Sequence, residues 1–113
     1  MGLFAVGTVV ILPFPFSDLS SSKVRPALVL AEASPEDLIL CQISSHAYRD
    51  LKAFEIKGSD FASGGLRVTS YARPGKLFTA HRKILLQEKG KLKSAVTAAI
   101  QKRVMELFQP IHG

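Results

Sequence analysis

The chain is poor in cysteine, with Cys41 as the single example among 113 residues. One cysteine excludes an internal disulfide and any zinc site built from several cysteines. Its neighbours Ile39, Leu40 and Ile43 are apolar. We therefore predict a buried, unreactive thiol rather than a nucleophile.

Acidic side chains are also scarce. Nine Asp and Glu residues stand against fifteen Lys and Arg residues, which gives a formal net charge of +6. An excess of this size favours a polyanionic partner, such as nucleic acid, an acidic protein or an anionic membrane. A solvated basic surface without a ligand is the alternative, and charge favours the polyanion only modestly.

Long apolar runs and a targeting signal are lacking as well. No apolar stretch approaches the length of a membrane-spanning helix. Residues 1–6 lack the basic segment that opens a signal peptide. The sequence therefore predicts a cytoplasmic protein with no membrane partner. Its composition, 47% hydrophobic and 21% charged, is typical of a globular protein, and its length predicts one domain over residues 1–113.

Short apolar segments separated by turn signals predict a mainly β protein. Gly7–Leu12 is predicted as a strand that ends at Pro13, and Ala27–Ala31 as a strand buried on both faces. Residues 14–24 between them are predicted as a loop. The other predicted extended segments are Leu38–Ile43, Leu51–Ile56, Leu66–Arg73, Leu77–Thr79 and Lys83–Leu86, with turns at 34–37 and 60–65 and an interruption at Pro74-Gly75.

The hydrophobic pattern changes to a helical period near the C-terminal end. Ser94 is a plausible N-cap, and the apolar spacing lasts until Pro110. The predicted buried stripe consists of Val96, Ile100, Val104, Leu107 and Phe108. Several short strands followed by this helix predict a small β-barrel or strongly bent sheet, packed against one face of the helix.

Arg25 opens the second apolar run, in the segment Arg-Pro-Ala-Leu-Val-Leu. A charged side chain at a strand entrance adds little packing, so we expect it to have another use. A serine-rich loop followed by this segment resembles the PemK/MazF family, small ribonucleases of bacterial toxin–antitoxin pairs. Ile43-Ser44-Ser45-His46 is similar to the family's Ile-Thr-Ser segment. Arg73-Pro74-Gly75-Lys76-Leu77 is similar to another, so the resemblance extends over nearly the whole chain.

The resemblance implies a fold, an activity and partners. The fold would be an SH3-like β-barrel of the CcdB/PemK/MazF type with a C-terminal α-helix, working as a homodimer. The activity would be metal-independent, sequence-selective cleavage of single-stranded RNA without a cofactor, held in check by an acidic cognate antitoxin. Two alternatives share the fold. One is a non-catalytic RNA-binding barrel. The other is a gyrase poison, which would act through a characteristic C-terminal helix ending that is not recognisable here.

Metal-free RNA cleavage requires a base for the 2′-hydroxyl, an acid for the leaving oxygen and cations for the phosphorane. Arg25 fits the cationic role, since its planar fork binds two phosphate oxygens. The alternative for Arg25 is a salt bridge to a loop carboxylate, most obviously Asp18. Ser44 matches the position of the family's catalytic hydroxyl, and its alternative is a bond to the local backbone.

Further site residues follow partly from the resemblance and partly from side-chain chemistry. Arg73 matches a second basic residue used in some relatives, while Asp18 and His46 are weaker acid–base candidates. His46 would share a face with Ser44 if the strand continues, although a surface histidine without a role is slightly favoured. At Gly75 relatives commonly carry an aspartate with acid–base work, which glycine cannot perform. The residues predicted to bind RNA are Phe16, Ser45, Tyr48, Tyr71 and Lys76.

Overall fold

Within the part of the chain that the structure describes, seven strands form one curled antiparallel sheet, and a single α-helix follows them. The structure is a computed structural model that describes residues 4–14 and 23–109. Across the sheet the strand order is β4-β6-β3-β2-β1-β7-β5. In chain order the elements are β1 (Thr8–Phe14), β2 (Lys23–Glu32), β3 (Asp37–Ser44), β4 (Phe54–Ile56), β5 (Phe61–Gly64), β6 (Ser70–His81), β7 (Gln87–Leu92) and α1 (Ser94–Glu106). The predicted mainly β fold with a C-terminal helix is confirmed.

The central strands are buried on both faces, and alternate residues enter two separate cores. The core beneath α1 contains Val9, Leu28, Leu30, Cys41, Ile43 and Ile100. The opposite core contains Val10, Leu12, Ala27, Val29, Leu38 and Leu40. Residues 27–30 of β2 are buried throughout, as predicted. Cys41 is fully buried, and this burial raises the pKa of its thiol to about 12.

Helix α1 packs on the first of these cores. Ile100 is fully buried, and Val96 and Val104 pack beside it. Leu107 and Phe108 lie beyond the helix end and are exposed, so that part of the predicted stripe is wrong. The predicted N-cap is also wrong by one residue, because Lys93 occupies the cap position and makes no side-chain capping bond. Within the described residues, no helix is long and apolar enough to cross a membrane.

Strands β1 and β2 are longer than predicted. β1 continues through Pro13 to Phe14, and β2 already begins at Lys23. Proline lacks an N–H group, but β7 pairs with β1 only as far as Ile11, so Pro13 has a neighbouring strand on one side alone. Arg25 consequently lies inside a paired strand, opposite Leu12, rather than at a strand entrance.

The two outer strands on each side of the sheet differ most from prediction. β5 occupies part of a predicted turn, and β4 is shorter than the segment predicted there. A 3₁₀ turn at Arg82–Ile84 replaces the start of the predicted strand Lys83–Leu86, and β7 begins after it. β6 runs through Pro74-Gly75 as a bulge against β3 instead of being interrupted. These segments bury few side chains, so their hydrophobic pattern is weak.

The backbones of the paired strands β5 and β7 lie very close together at Gly64, and we call this point the Gly64 contact. Gly64 has a φ of +65°, and a Cβ there would lie 2.3 Å from the Lys89 carbonyl oxygen and 2.6 Å from the Gly90 Cα. The Gly65 N–H donates to the same Lys89 oxygen at 3.0 Å. Only glycine permits both the left-handed backbone and this approach. The Gly64 contact fixes the start of the 65–69 loop against β7.

Candidate active site

An open cavity of about 470 Å³ lies where β3 ends, between the start of β2 and the 65–69 loop. We call it the Arg25 pocket. Five residues predicted from the sequence line it: Arg25, Ser44, Ser45, His46 and Tyr48. The rest of its lining is Val24, Pro26, Ile43, Leu66, Arg67, Val68 and Ser70. Three chain segments that are remote in sequence therefore meet at one polar, basic site.

Arg25 is half-buried in β2. β2 and β3 pair in a register that includes Ala27 opposite Gln42, and continuing it by two residues brings Arg25 opposite Ser44. Within residues 4–14 and 23–109, no carboxylate pairs with Arg25. Asp18, the salt-bridge partner and weaker catalytic candidate, lies outside the described residues. The described part of the pocket therefore presents Arg25 as an available cation.

Ser44 ends β3 and is 7% exposed. Its Oγ accepts the backbone N–H of His46 at 3.1 Å, so the local backbone bond considered as its alternative is present. That bond uses an oxygen lone pair and leaves the hydroxyl hydrogen able to donate. His46 itself is exposed, and its ring meets the ring of Tyr48 edge-on at 5.8 Å.

Arg73 belongs to the support of the pocket rather than to its lining. Its Nε donates to Asp50 Oδ2 at 3.1 Å, and its guanidinium lies 4.9 Å from the centre of the Tyr48 ring. Both charged side chains are largely buried, at 18% and 15% exposure. Tyr48 has a φ of +56°, a conformation that a non-glycine residue keeps only when its surroundings hold it. Arg73 thus fixes the aromatic wall of the pocket.

Tyr48 and Asp50 belong to the loop of residues 45–53, and a second arginine holds the other end of this loop. Arg103 of α1 donates from Nη1 to the carbonyl oxygens of Ala53 at 2.7 Å and Lys52 at 3.3 Å. Its guanidinium also lies 4.8 Å from the centre of the Phe54 ring. The 45–53 loop is therefore attached to both the sheet and the helix.

Removing the charge of Asp50 should loosen this loop. We expect Asp50→Asn to weaken the bond to Arg73 and cost about 1–3 kcal/mol of local stability, because the partner guanidinium stays largely buried. Trypsin should then cut faster after the exposed residues Arg49 and Lys52, which mass spectrometry of early fragments would show. Glu55→Gln is the matched control, since its ion pair with Lys57 is exposed. Equal cleavage of the two variants would contradict the role given to Asp50.

The remaining predicted residues lie beside the pocket or outside the described chain. Tyr71 is half-buried and pairs with Ser44 across β3 and β6, while Lys76 is exposed in the β6 bulge. Neither lines the Arg25 pocket. Phe16 lies outside the described residues. At Gly75 the backbone has no positive φ and a Cβ would meet nothing within 4 Å, so the missing aspartate is not excluded by strain.

Sequence reasoning missed Arg67, a pocket cation on the 65–69 loop. It is exposed and pairs with no carboxylate in the described part of the chain. The preceding Gly64-Gly65 pair marked a tight turn, but only the folded chain shows that this turn faces Arg25. In the same described ranges, no group of three or more His, Cys, Asp or Glu residues is placed to hold a metal ion.

Comparison with known proteins gives one family and one fold. The family model for PemK-like, MazF-like toxins of type II toxin–antitoxin systems matches residues 5–108. No curated protein sequence matches. The fold is similar to that of MazF in a Deinococcus radiodurans MazE–MazF structure, with a TM-score of 0.70, 18% identity, and coverage of 90% of this chain and 92% of that one.

Two mycobacterial structures are similar at the same level. One is the Mycobacterium tuberculosis toxin MazF-mt6, with a TM-score of 0.68, 17% identity, and coverage of 89% of this chain and 95% of that one. The other is an endoribonuclease in complex with its cognate antitoxin from a mycobacterial species, with a TM-score of 0.68, 14% identity, and coverage of 98% and 100%. The predicted fold class is confirmed by these likenesses.

Proposed function

Because the chain belongs to the PemK-like, MazF-like toxin family of type II toxin–antitoxin systems, we propose that it is a toxin that cleaves single-stranded RNA. The observation that carries the proposal is the position of Arg25. It is half-buried on the wall of the pocket that Ser44 also lines, without a carboxylate partner among the described residues. A cation held in this way is suited to a phosphate group.

The proposed reaction uses the RNA's own nucleophile. The 2′-oxygen attacks the adjacent phosphorus, and the bond from phosphorus to the 5′-oxygen breaks. Arg25 stabilises the negative charge on the phosphorane, and the Ser44 hydroxyl donates a hydrogen bond to a phosphate oxygen. His46 lines the pocket and is proposed to take the hydroxyl proton or supply one to the leaving oxygen. Asp18 is the other proton-transfer candidate.

The pocket wall supports binding of an unpaired base. Tyr48 is 64% exposed and backed by Arg73, so its ring offers a fixed stacking surface. Ser45 adds a polar group at the rim, and Arg67 adds a second cation. Tyr71, Lys76 and Phe16 are proposed to contact nucleotides farther from the cleaved bond. Stacking on Tyr48 tolerates any base, so the proposed sequence selectivity would come from the polar contacts around it.

Product analysis in excess EDTA tests the reaction. We expect cleavage of a long RNA to persist, leaving a 2′,3′-cyclic phosphate on one fragment and a 5′-hydroxyl on the other, because the attacking oxygen belongs to the substrate. A strand of the same sequence with 2′-O-methyl groups should bind and remain intact. Fragments with a 5′-phosphate would contradict the mechanism. RNA that is bound but never cut would indicate a non-catalytic RNA-binding barrel.

We also propose an acidic antitoxin and a homodimer as partners. The net charge of +6 and the basic pocket support an acidic antitoxin segment that competes with RNA. An apolar groove of about 490 Å³ supports self-association, with Met105 and Phe108 on its wall exposed at 61% and 75%. A monomeric mass in sedimentation equilibrium would contradict the dimer. An antitoxin that leaves RNA binding unchanged would contradict competition.

A further inference from the structure

Lys89, Lys91 and Lys93 lie in succession along β7 and just beyond its end. All three are exposed, and they alternate with Gly90 and Leu92, which are buried. At about 3.3 Å per strand residue, the three cations extend over about 13 Å. We call these three residues the lysine track.

One end of the track lies against the start of the 65–69 loop, and residues of that loop line the Arg25 pocket. The Lys89 carbonyl oxygen accepts the Gly65 N–H at 3.0 Å, and the Gly64 contact with β7 lies at the same point. Arg67 follows Gly65 by two residues and lines the pocket. This backbone bond places Lys89 at the start of the loop that carries Arg67, the second cation of the pocket.

The other end reaches the start of α1. Lys93 occupies the N-cap position without a side-chain capping bond, and the first helical turn contains no acidic residue. The first N–H groups of a helix carry partial positive charge, so this end continues the positive surface. A cavity of about 470 Å³ opens beside it, with Lys91 and Ser94 in its lining.

Nearby acidic groups do not neutralise the track. Glu88 is exposed beside Lys89, and the Asp60 carboxylate accepts the backbone N–H of Lys57 at 2.8 Å. Among the described residues, none of the three track lysines forms an ion pair. The track is therefore a line of available positive charge that the proposed cleavage reaction does not use.

We propose that the lysine track binds the sugar–phosphate backbone of single-stranded RNA that extends out of the Arg25 pocket. This inference rests on the proposed function, because the pocket must hold RNA first. Lysine is depleted in the cores of protein–protein interfaces, which favours RNA over an acidic protein here. Flexible ammonium groups also suit contacts that position a backbone without reading its sequence.

The test compares two lengths of non-cleavable RNA. We measure binding of a 2′-O-methyl oligouridylate tetramer and dodecamer by the whole protein and by Lys89→Ala/Lys91→Ala. The dodecamer should lose two phosphate contacts, so its log–log salt slope should become shallower by about 1.4 and its affinity at 0.1 M salt should fall about 25-fold. The tetramer should bind the variant as it binds the parent protein.

Lys83→Ala/Lys102→Ala is the matched control, since both lysines are exposed and lie outside the track. It removes the same charge and should leave the dodecamer slope unchanged. An equal loss in the control, or an equal loss for tetramer and dodecamer, would overturn the inference. So would normal dodecamer binding by a track variant that no longer binds polyglutamate, because the track would then serve an acidic protein.

Failure of the proposed function gives a different result. Unmodified RNA that the parent protein never cuts would refute the ribonuclease proposal, while a length-dependent effect of the lysine variant would still support the track. Cleavage of RNA together with no length dependence would refute the track alone. Thermal melting of each variant confirms that the comparison is made on folded protein.

Discussion

Replacing Arg25 with alanine should reduce RNA cleavage about a hundredfold, corresponding to the loss of about 3 kcal/mol of transition-state stabilisation. The pocket would lose the cation that stands beside Ser44, and no carboxylate among the described residues would be left unpaired by the change. Single-turnover cleavage of a defined RNA by the purified variant measures the effect. Thermal melting should show a cooperative transition close to that of the parent protein.

Arg25→Lys separates geometry from charge. A lysine keeps the positive charge but cannot form two parallel bonds to a phosphate, so we expect it to restore little activity. The matched control is Arg49→Ala, an exposed cation of the 45–53 loop that does not line the pocket. Cleavage by Arg25→Ala at the parent rate would remove Arg25 from the reaction.

Replacing Gly64 with alanine should lower the free energy of unfolding by about 3 kcal/mol. The new Cβ would carry a left-handed backbone cost of about 1–2 kcal/mol, and it would lie 2.3 Å from the Lys89 carbonyl oxygen. The atoms that the new Cβ would meet belong to the backbone of β7. The strands β5 and β7 must therefore separate to relieve the contact. Urea denaturation followed by circular dichroism would measure the loss.

Gly58→Ala is the control for this change. Its backbone has no positive φ, and a Cβ there would meet nothing within 4 Å. We expect its free energy of unfolding to stay within about 0.5 kcal/mol of the parent value, the usual range for an exposed substitution. Equal stability of the Gly64 and Gly58 variants would contradict a close approach of the backbones at the Gly64 contact.

The sequence was most informative where neighbouring residues carry the signal. Arg25 and Ser44 each stand in a short motif at one end of an apolar strand, and the antiparallel pairing of β2 and β3 brings those ends together. The apolar run of β3 also predicted its position closely, and that of β2 predicted its buried half, because both faces of the sheet are buried there.

Contacts between distant segments were not predictable from local pattern. The Arg73–Asp50 pair joins residues 23 positions apart, and the Arg103–Ala53 bond joins residues 50 apart. Arg73 was predicted as a catalytic group, and the contacts with Asp50 and Tyr48 that the structure shows were not foreseen. Nothing in the amino-acid pattern alone distinguishes an arginine that meets substrate from one that meets a loop carboxylate.

The polar strand β7 and the tolerance of β1 for proline were the other gaps. β7 reads Gln-Glu-Lys-Gly-Lys-Leu, and only its glycine and leucine are buried. Such a strand is specified by its neighbours rather than by its own hydrophobicity. Pro13 looked like a strand end because proline interrupts hydrogen bonding, yet β7 has already stopped pairing beside it.

The burial of Cys41 gives the protein an internal reporter of its own opening motions. The thiol is fully enclosed in β3, at the middle of the sheet, and its pKa of about 12 keeps it protonated at neutral pH. A thiol-specific reagent can modify it only after the core beneath α1 opens and exposes the sulfur to water. The rate of modification therefore measures how often this core opens under native conditions. Since the sequence contains no second cysteine, that rate is read without any substitution.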